Sequence, residues 1–141
     1  MREFLMLSDF DKKELEKEYR KYPFIDRLIA IKQAELEMKE DNDTNIGGGR
    51  SSFISKPTEA IAIKRQSDQY IIYHQHLKQS IDEIIGSMDD VTREIATKRF
   101  WDRTNYRTWE DLAKEYHYAI STMYAKRDKL VSDLACRLGK I

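Results

Sequence analysis

Apolar residues recur at helical spacing along the first half of the chain. Leu15, Tyr22, Ile29 and Leu36 fall every seven residues, and Tyr19, Ile25 and Leu28 widen that side into a stripe. Lys12, Glu16, Lys17, Arg20 and Lys32 take positions outside it. The pattern predicts helix over 9–40, broken or kinked near Tyr22, because Pro23 lacks a backbone donor and crowds the preceding turn. Residues 41–55 contain Gly47, Gly48 and Gly49 in a row and are predicted to form a flexible loop. Helix is expected to resume near Lys56, with Ser55 as cap and Pro57 in the first turn. There Ile63, Tyr70, Leu77 and Ile84 again recur every seven residues, joined by Tyr73 and Ile81.

Past Gly86 the elements become short. Ser87 is expected to cap a helix whose apolar side is Val91, Ile95 and Phe100 or Trp101, with Asp89 and Asp90 in its first turn. Residues 102–107 are a polar break. Thr108 and Asp111 have the spacing of a second cap, opening a helix that holds Trp109, Leu112, Ala113 and Tyr116. A turn at 117–119 precedes a last helix with Met123, Leu130, Val131, Leu134 and Leu138 inward, and Gly139 stops it. The fold class is therefore all-α: a helical hairpin region over 1–86 and a helix-turn-helix module over 87–141. The C-terminal module has a core of its own, so the two narrow stripes are expected to be covered by a second copy of the chain in a homodimer. An ordinary intramolecular core is the alternative at this point.

Composition narrows the function. Lys and Arg number 25 and Asp and Glu 25, so any basic surface has to be local. Residues 119–141 carry such a bias: Lys126, Arg127, Lys129, Arg137 and Lys140 stand against Asp128 and Asp133. The single cysteine, Cys136, excludes an intramolecular disulfide and zinc sites built on several cysteines, which fits a reducing cytoplasm. No apolar run has membrane-spanning length, and residues 1–10 do not read as a secretory signal. The glycine-rich stretch at 47–52 lacks the Gly-Lys-Ser/Thr ending of a phosphate-binding loop. His74 and His76, two apart on a helix, face different directions, and His117 reads as a turn residue. Asp41 and Asp43 are not followed by a full ligand set for a cation. Neither catalysis nor a metal or other cofactor is expected.

Two short helices around a tight turn are the raw pattern of DNA recognition. The small Ala113 stands where the first helix of the pair crosses the second. Ile120, Ser121, Thr122, Tyr124 and Ala125 open the second helix and are candidates for reading base edges. Arg107, Thr108, Lys126 and Arg127 are candidates for phosphate contacts.

The segment 87–138 resembles region 4 of bacterial sigma factors and the sigma-like phage activators. The resemblance lies in Arg99-Phe100-Trp101, the following loop to Arg107, Thr108-Trp109-Glu110-Asp111-Leu112-Ala113, and Ser121-Thr122-Met123-Tyr124. His117-Tyr118-Ala119 replaces the Gly-Val-Ser of that pattern, so the usual serine cap is missing. The stretch Asp43-Thr44-Asn45-Ile46-Gly47-Gly48, between helical N-terminal and sigma-like C-terminal parts, is similar to the RinA family of phage transcriptional activators. That resemblance implies binding to double-stranded promoter DNA, a contact with host RNA polymerase, and activation of late packaging and morphogenesis genes. The alternative is a phage small terminase subunit, which also joins a helix-turn-helix to oligomerising helices but assembles as a ring. A helical scaffold protein that binds no DNA is a further one.

Overall fold

A computed structural model describes residues 7–47, 64 and 68–141, and among these every regular element is helical. Helix α1 spans Asp9–Arg20. It starts where the Ser8 hydroxyl accepts from the Asp11 N–H at 3.1 Å while the Asp11 carboxylate accepts from the Ser8 N–H at 3.1 Å. The break expected at Pro23 is a 3-10 turn, Tyr22–Phe24, before α2 at Ile25–Gly47. Helix α2 therefore continues into the segment expected to be loop. Residues 41–46 are weak helix formers, but each costs only about 0.7 kcal/mol against alanine, and no glycine or proline intervenes before Gly47. The rest of the expected loop, the helix start near Lys56 and Ile63 lie outside the described residues.

The chain divides into two compact units, Phe24–His76 and the residues up to Pro23 together with Leu77–Ile141. This division differs from a boundary at 86/87, because α1 belongs with the C-terminal helices. In the Phe24–His76 unit Ile25 and Ile71 are buried, and the Lys32 ammonium lies 5.8 Å from the centroid of the Tyr70 ring. Helix α3, Gln69–Ser87, buries Ile71, His74, Leu77, Ile81 and Ile84, whereas Tyr70 is exposed. The seven-residue stripe therefore misplaces Tyr70. The buried positions step by three and four residues instead, as the 3.6-residue turn demands.

The larger unit assembles α1 with α4 (Asp90–Ala96), its π-helical extension Thr97–Trp101, α5 (Trp109–Tyr116) and α6 (Ile120–Arg137). The cap of α4 is Asp89, whose carboxylate accepts from the Thr92 N–H at 2.7 Å, rather than Ser87. Ser87 still belongs to α3, and its hydroxyl donates to the Ile84 carbonyl at 2.9 Å. Helix α1 docks on Arg99, Phe100 and Trp101. The Tyr19 ring stacks on Phe100 at 4.9 Å between centroids, and the Trp101 indole donates to the Tyr19 carbonyl at 2.7 Å. Arg99 donates to Glu16 Oε1 through Nε at 3.1 Å and Nη2 at 2.8 Å. Tyr19 also donates to the Leu130 carbonyl on α6 at 2.5 Å, and burial pushes its phenol well above the usual range.

Leu15, Leu77 and Ile84 are therefore covered within one chain. The inference that these stripe positions need a second copy to hide them fails, because the C-terminal module carries α1 and the end of α3 on its core. Glu16, read from the pattern as an outer-face charge, is 4% exposed.

Candidate nucleic-acid interface

The candidate interface comprises the two ends of α5 and the beginning of α6. Thr108 caps α5: its hydroxyl accepts from the Asp111 N–H at 3.0 Å, and the Asp111 carboxylate accepts from the Thr108 N–H at 3.4 Å. Trp109, Leu112 and Ala113 turn into the core, and α5 and α6 pack together. Helix α5 ends in a Schellman motif. His117 adopts the left-handed conformation at φ 59°, and the Tyr118 N–H donates to the Ala113 carbonyl at 2.9 Å. Ala119 then extends the backbone, and α6 begins at Ile120 with no side-chain cap, in keeping with the missing serine. The connection is thus His117, Tyr118 and Ala119 alone.

Met123, Leu130, Val131 and Leu134 anchor α6 in the core. The opposite side of its first two turns presents Ser121, Thr122 and Ala125 to solvent, and Ile120, three residues before Met123, is exposed where the helix begins. Ser121 and Ala125 lie one above the other at i, i+4, with Ile120 and Thr122 flanking them. Tyr124 behaves differently from the sequence expectation. It is half-buried, and its hydroxyl donates to Glu110 on α5 at 2.7 Å. A helical side chain leans toward the N-terminus, which here aims the phenol back over α5. The hydrogen bond to Glu110 raises the phenol above its ordinary range.

The candidate phosphate-binding cations all have neighbours of their own. Arg127 pairs with Asp128 at 3.1 Å and lies 4.8 Å from the centroid of the Tyr124 ring. Asp128 also takes Lys12 at 3.2 Å. Arg107 reaches Glu115 at 3.5 Å and Asp102 at 3.9 Å. Lys126 stands 5.4 Å from the Tyr118 ring centroid. Lys129 is the most exposed of them, with 70% of its side chain exposed, and pairs with Asp133 at 3.2 Å. The exposed Lys129–Asp133 pair is worth about 0–1 kcal/mol, so a phosphate can exchange for its carboxylate at little cost.

Glu16 and Arg99 hold this surface from beneath. Arg99 donates to the Arg107 carbonyl at 3.0 Å, and the Trp109 indole donates to Glu16 Oε1 at 3.3 Å. The loop end and the first residue of α5 are thereby fixed to α1. Pattern reasoning missed Glu16 because an isolated glutamate beside Leu15 looks solvated. Its available signal was the spacing, since Glu16 stands three residues before Tyr19 on the buried side.

Among the described residues no His, Cys, Asp and Glu group is arranged to hold a metal ion, and no helix is long and apolar enough to cross a membrane. Cys136 is exposed. The molecule is thus an all-helical protein with two helices set around a three-residue turn and an exposed second-helix start. Residues 15–136 match the model of a family described as protein of unknown function (DUF722), and the chain belongs to that family. No curated protein and no solved structure matches it.

Proposed function

We propose that the protein binds double-stranded DNA sequence-specifically through the start of α6 and acts as a phage transcriptional activator of late genes in the host cytoplasm. The observation that carries this reading is the exposed start of α6, Ile120, Ser121, Thr122 and Ala125, on a helix anchored behind a Schellman turn and a capped α5. A recognition helix needs a rigid base, and its first turns must stand clear of the protein. Arg107 and Thr108 at one end of α5 and Lys126, Arg127 and Lys129 along α6 supply donors for phosphate oxygens. The sigma-like and RinA-like sequence features point to the same role, which would also require contact with host RNA polymerase. Pairing of two copies would present two such helices to a twofold-symmetric site. The Phe24–His76 unit leaves Ile31, Met38, Tyr70 and Ile72 exposed for that purpose.

The test is selection from random-sequence duplexes, followed by affinity measurement at increasing salt. Four cations meeting phosphates, Arg107, Lys126, Arg127 and Lys129, predict a slope of log affinity against log salt of about −3.5. A protein that enriches no sequence, or binds with a slope near zero, does not work this way.

A further inference from the structure

We infer that the recognition surface reads thymine methyl groups, so that its operator is defined by thymines in the major groove more than by guanines or adenines. The inference rests on the DNA-binding reading and deepens it. Guanine is read by bidentate Arg or Lys, and adenine by bidentate Asn or Gln. Residues 119–125 contain none of these four types. The phenol of Tyr124 donates to Glu110, Arg127 is paired with Asp128 while covering the Tyr124 ring, and Lys126, beside the Tyr118 ring, is assigned to phosphate. What remains at the exposed start of α6 is one branched alkyl chain, one methyl and two small hydroxyls: Ile120, Ala125, Ser121 and Thr122.

The thymine C5-methyl is the one apolar group that the four natural base pairs present in the major groove. Ile120 is 42% exposed at the first position of α6, which leaves part of its branched side chain in water. Contact with a methyl would remove that apolar surface from water. Ala125 and the γ-methyl of Thr122, on the solvent side of the first two turns, offer further methyl contacts. Ser121 and Thr122 hydroxyls can donate to or accept from any base edge, so they orient the helix without dictating one base.

The experiment takes the tightest duplex from random-sequence selection and resynthesises it with deoxyuridine in place of thymidine. Base pairing is kept and only the methyl groups go. Each methyl in contact is worth about fourfold in affinity, so two or three predict a loss of at least about tenfold. The same pair of duplexes is then titrated with Ile120→Ala. Its ratio of thymine-duplex to uracil-duplex affinity should fall by about fourfold or more relative to wild type. Partial unfolding would scale both affinities by the same factor, so the ratio reports the contact whatever the folded fraction of the variant. Enrichment with equal affinity for the two duplexes overturns the inference while leaving DNA binding intact. An unchanged ratio in Ile120→Ala overturns the assignment to this face. Failure to enrich any duplex overturns the DNA-binding reading and the inference with it.

Discussion

At the residue scale, the arrangement depends on one buried carboxylate and one strained backbone position. Glu16 Oε1 receives three hydrogen bonds, two from Arg99 and one from Trp109. Removing the carboxylate leaves the Arg99 guanidinium poorly compensated in a site where it is 17% exposed. Glu16→Ala should therefore lower stability by about 3 kcal/mol in a urea titration. A loss under about 0.5 kcal/mol, the range of ordinary surface substitutions, would show that the pair carries no structural weight. His117 makes the opposite case. Its left-handed φ costs a residue with a Cβ about 1 kcal/mol, which glycine avoids. His117→Gly should raise stability by about 0.5–1 kcal/mol and the melting temperature by a few degrees, and a lower melting temperature would assign the imidazole a role of its own. The sequence hints at this position, since the sigma-like pattern has glycine there. It gives no such hint for Tyr124, because the acceptor that draws it inward, Glu110, lies fourteen residues away on another helix.

At the scale of elements, the helices and their order were readable from the sequence, and their ends less so. Gly139 and the Thr108–Asp111 cap announce themselves chemically, and the structure has both. Ser87 and Asp89 are both acceptable caps by residue type, and only packing selects Asp89. The π-helical turn at Thr97–Trp101 has no compositional signature, yet it presents Arg99, Phe100 and Trp101 to α1. The acidic caps make stability depend on pH. The Thr92 N–H holds the Asp89 carboxyl below the ordinary range, as the Tyr116 hydroxyl does for Glu94 and the Thr104 hydroxyl for Asp102. A carboxyl depressed in the folded state stabilises it above the unfolded value, and that contribution is lost as pH falls through the folded value. Melting temperatures should thus be level near neutrality and drop below about pH 4. Asp89→Asn keeps a competent cap but cannot titrate, so its acid drop should be smaller than that of wild type. An identical drop would remove Asp89 from the account.

At the scale of the molecule, the all-α class followed directly from two apolar stripes and the scarcity of glycine and proline. Which stripe residues meet which partner did not, because periodicity marks an inward face without naming what covers it. Leu77 illustrates the difference: it is fully buried within the chain. Leu77→Asp should therefore abolish cooperative unfolding, followed by near-ultraviolet circular dichroism, since it places an unpaired charge in the core. A folded variant of reduced solution mass would instead return Leu77 to an interface between copies. The central claim concerns α6, and Ala125 lies in its exposed row where a side chain can change without disturbing the core. The decisive measurement is the affinity of Ala125→Asp against wild type for the selected duplex, with the melting temperature of each protein as control. A carboxylate facing the polyanion should weaken binding by about a hundredfold or more at an unchanged melting temperature. Equal affinity of the two proteins for that duplex would mean that DNA is not held by this helix.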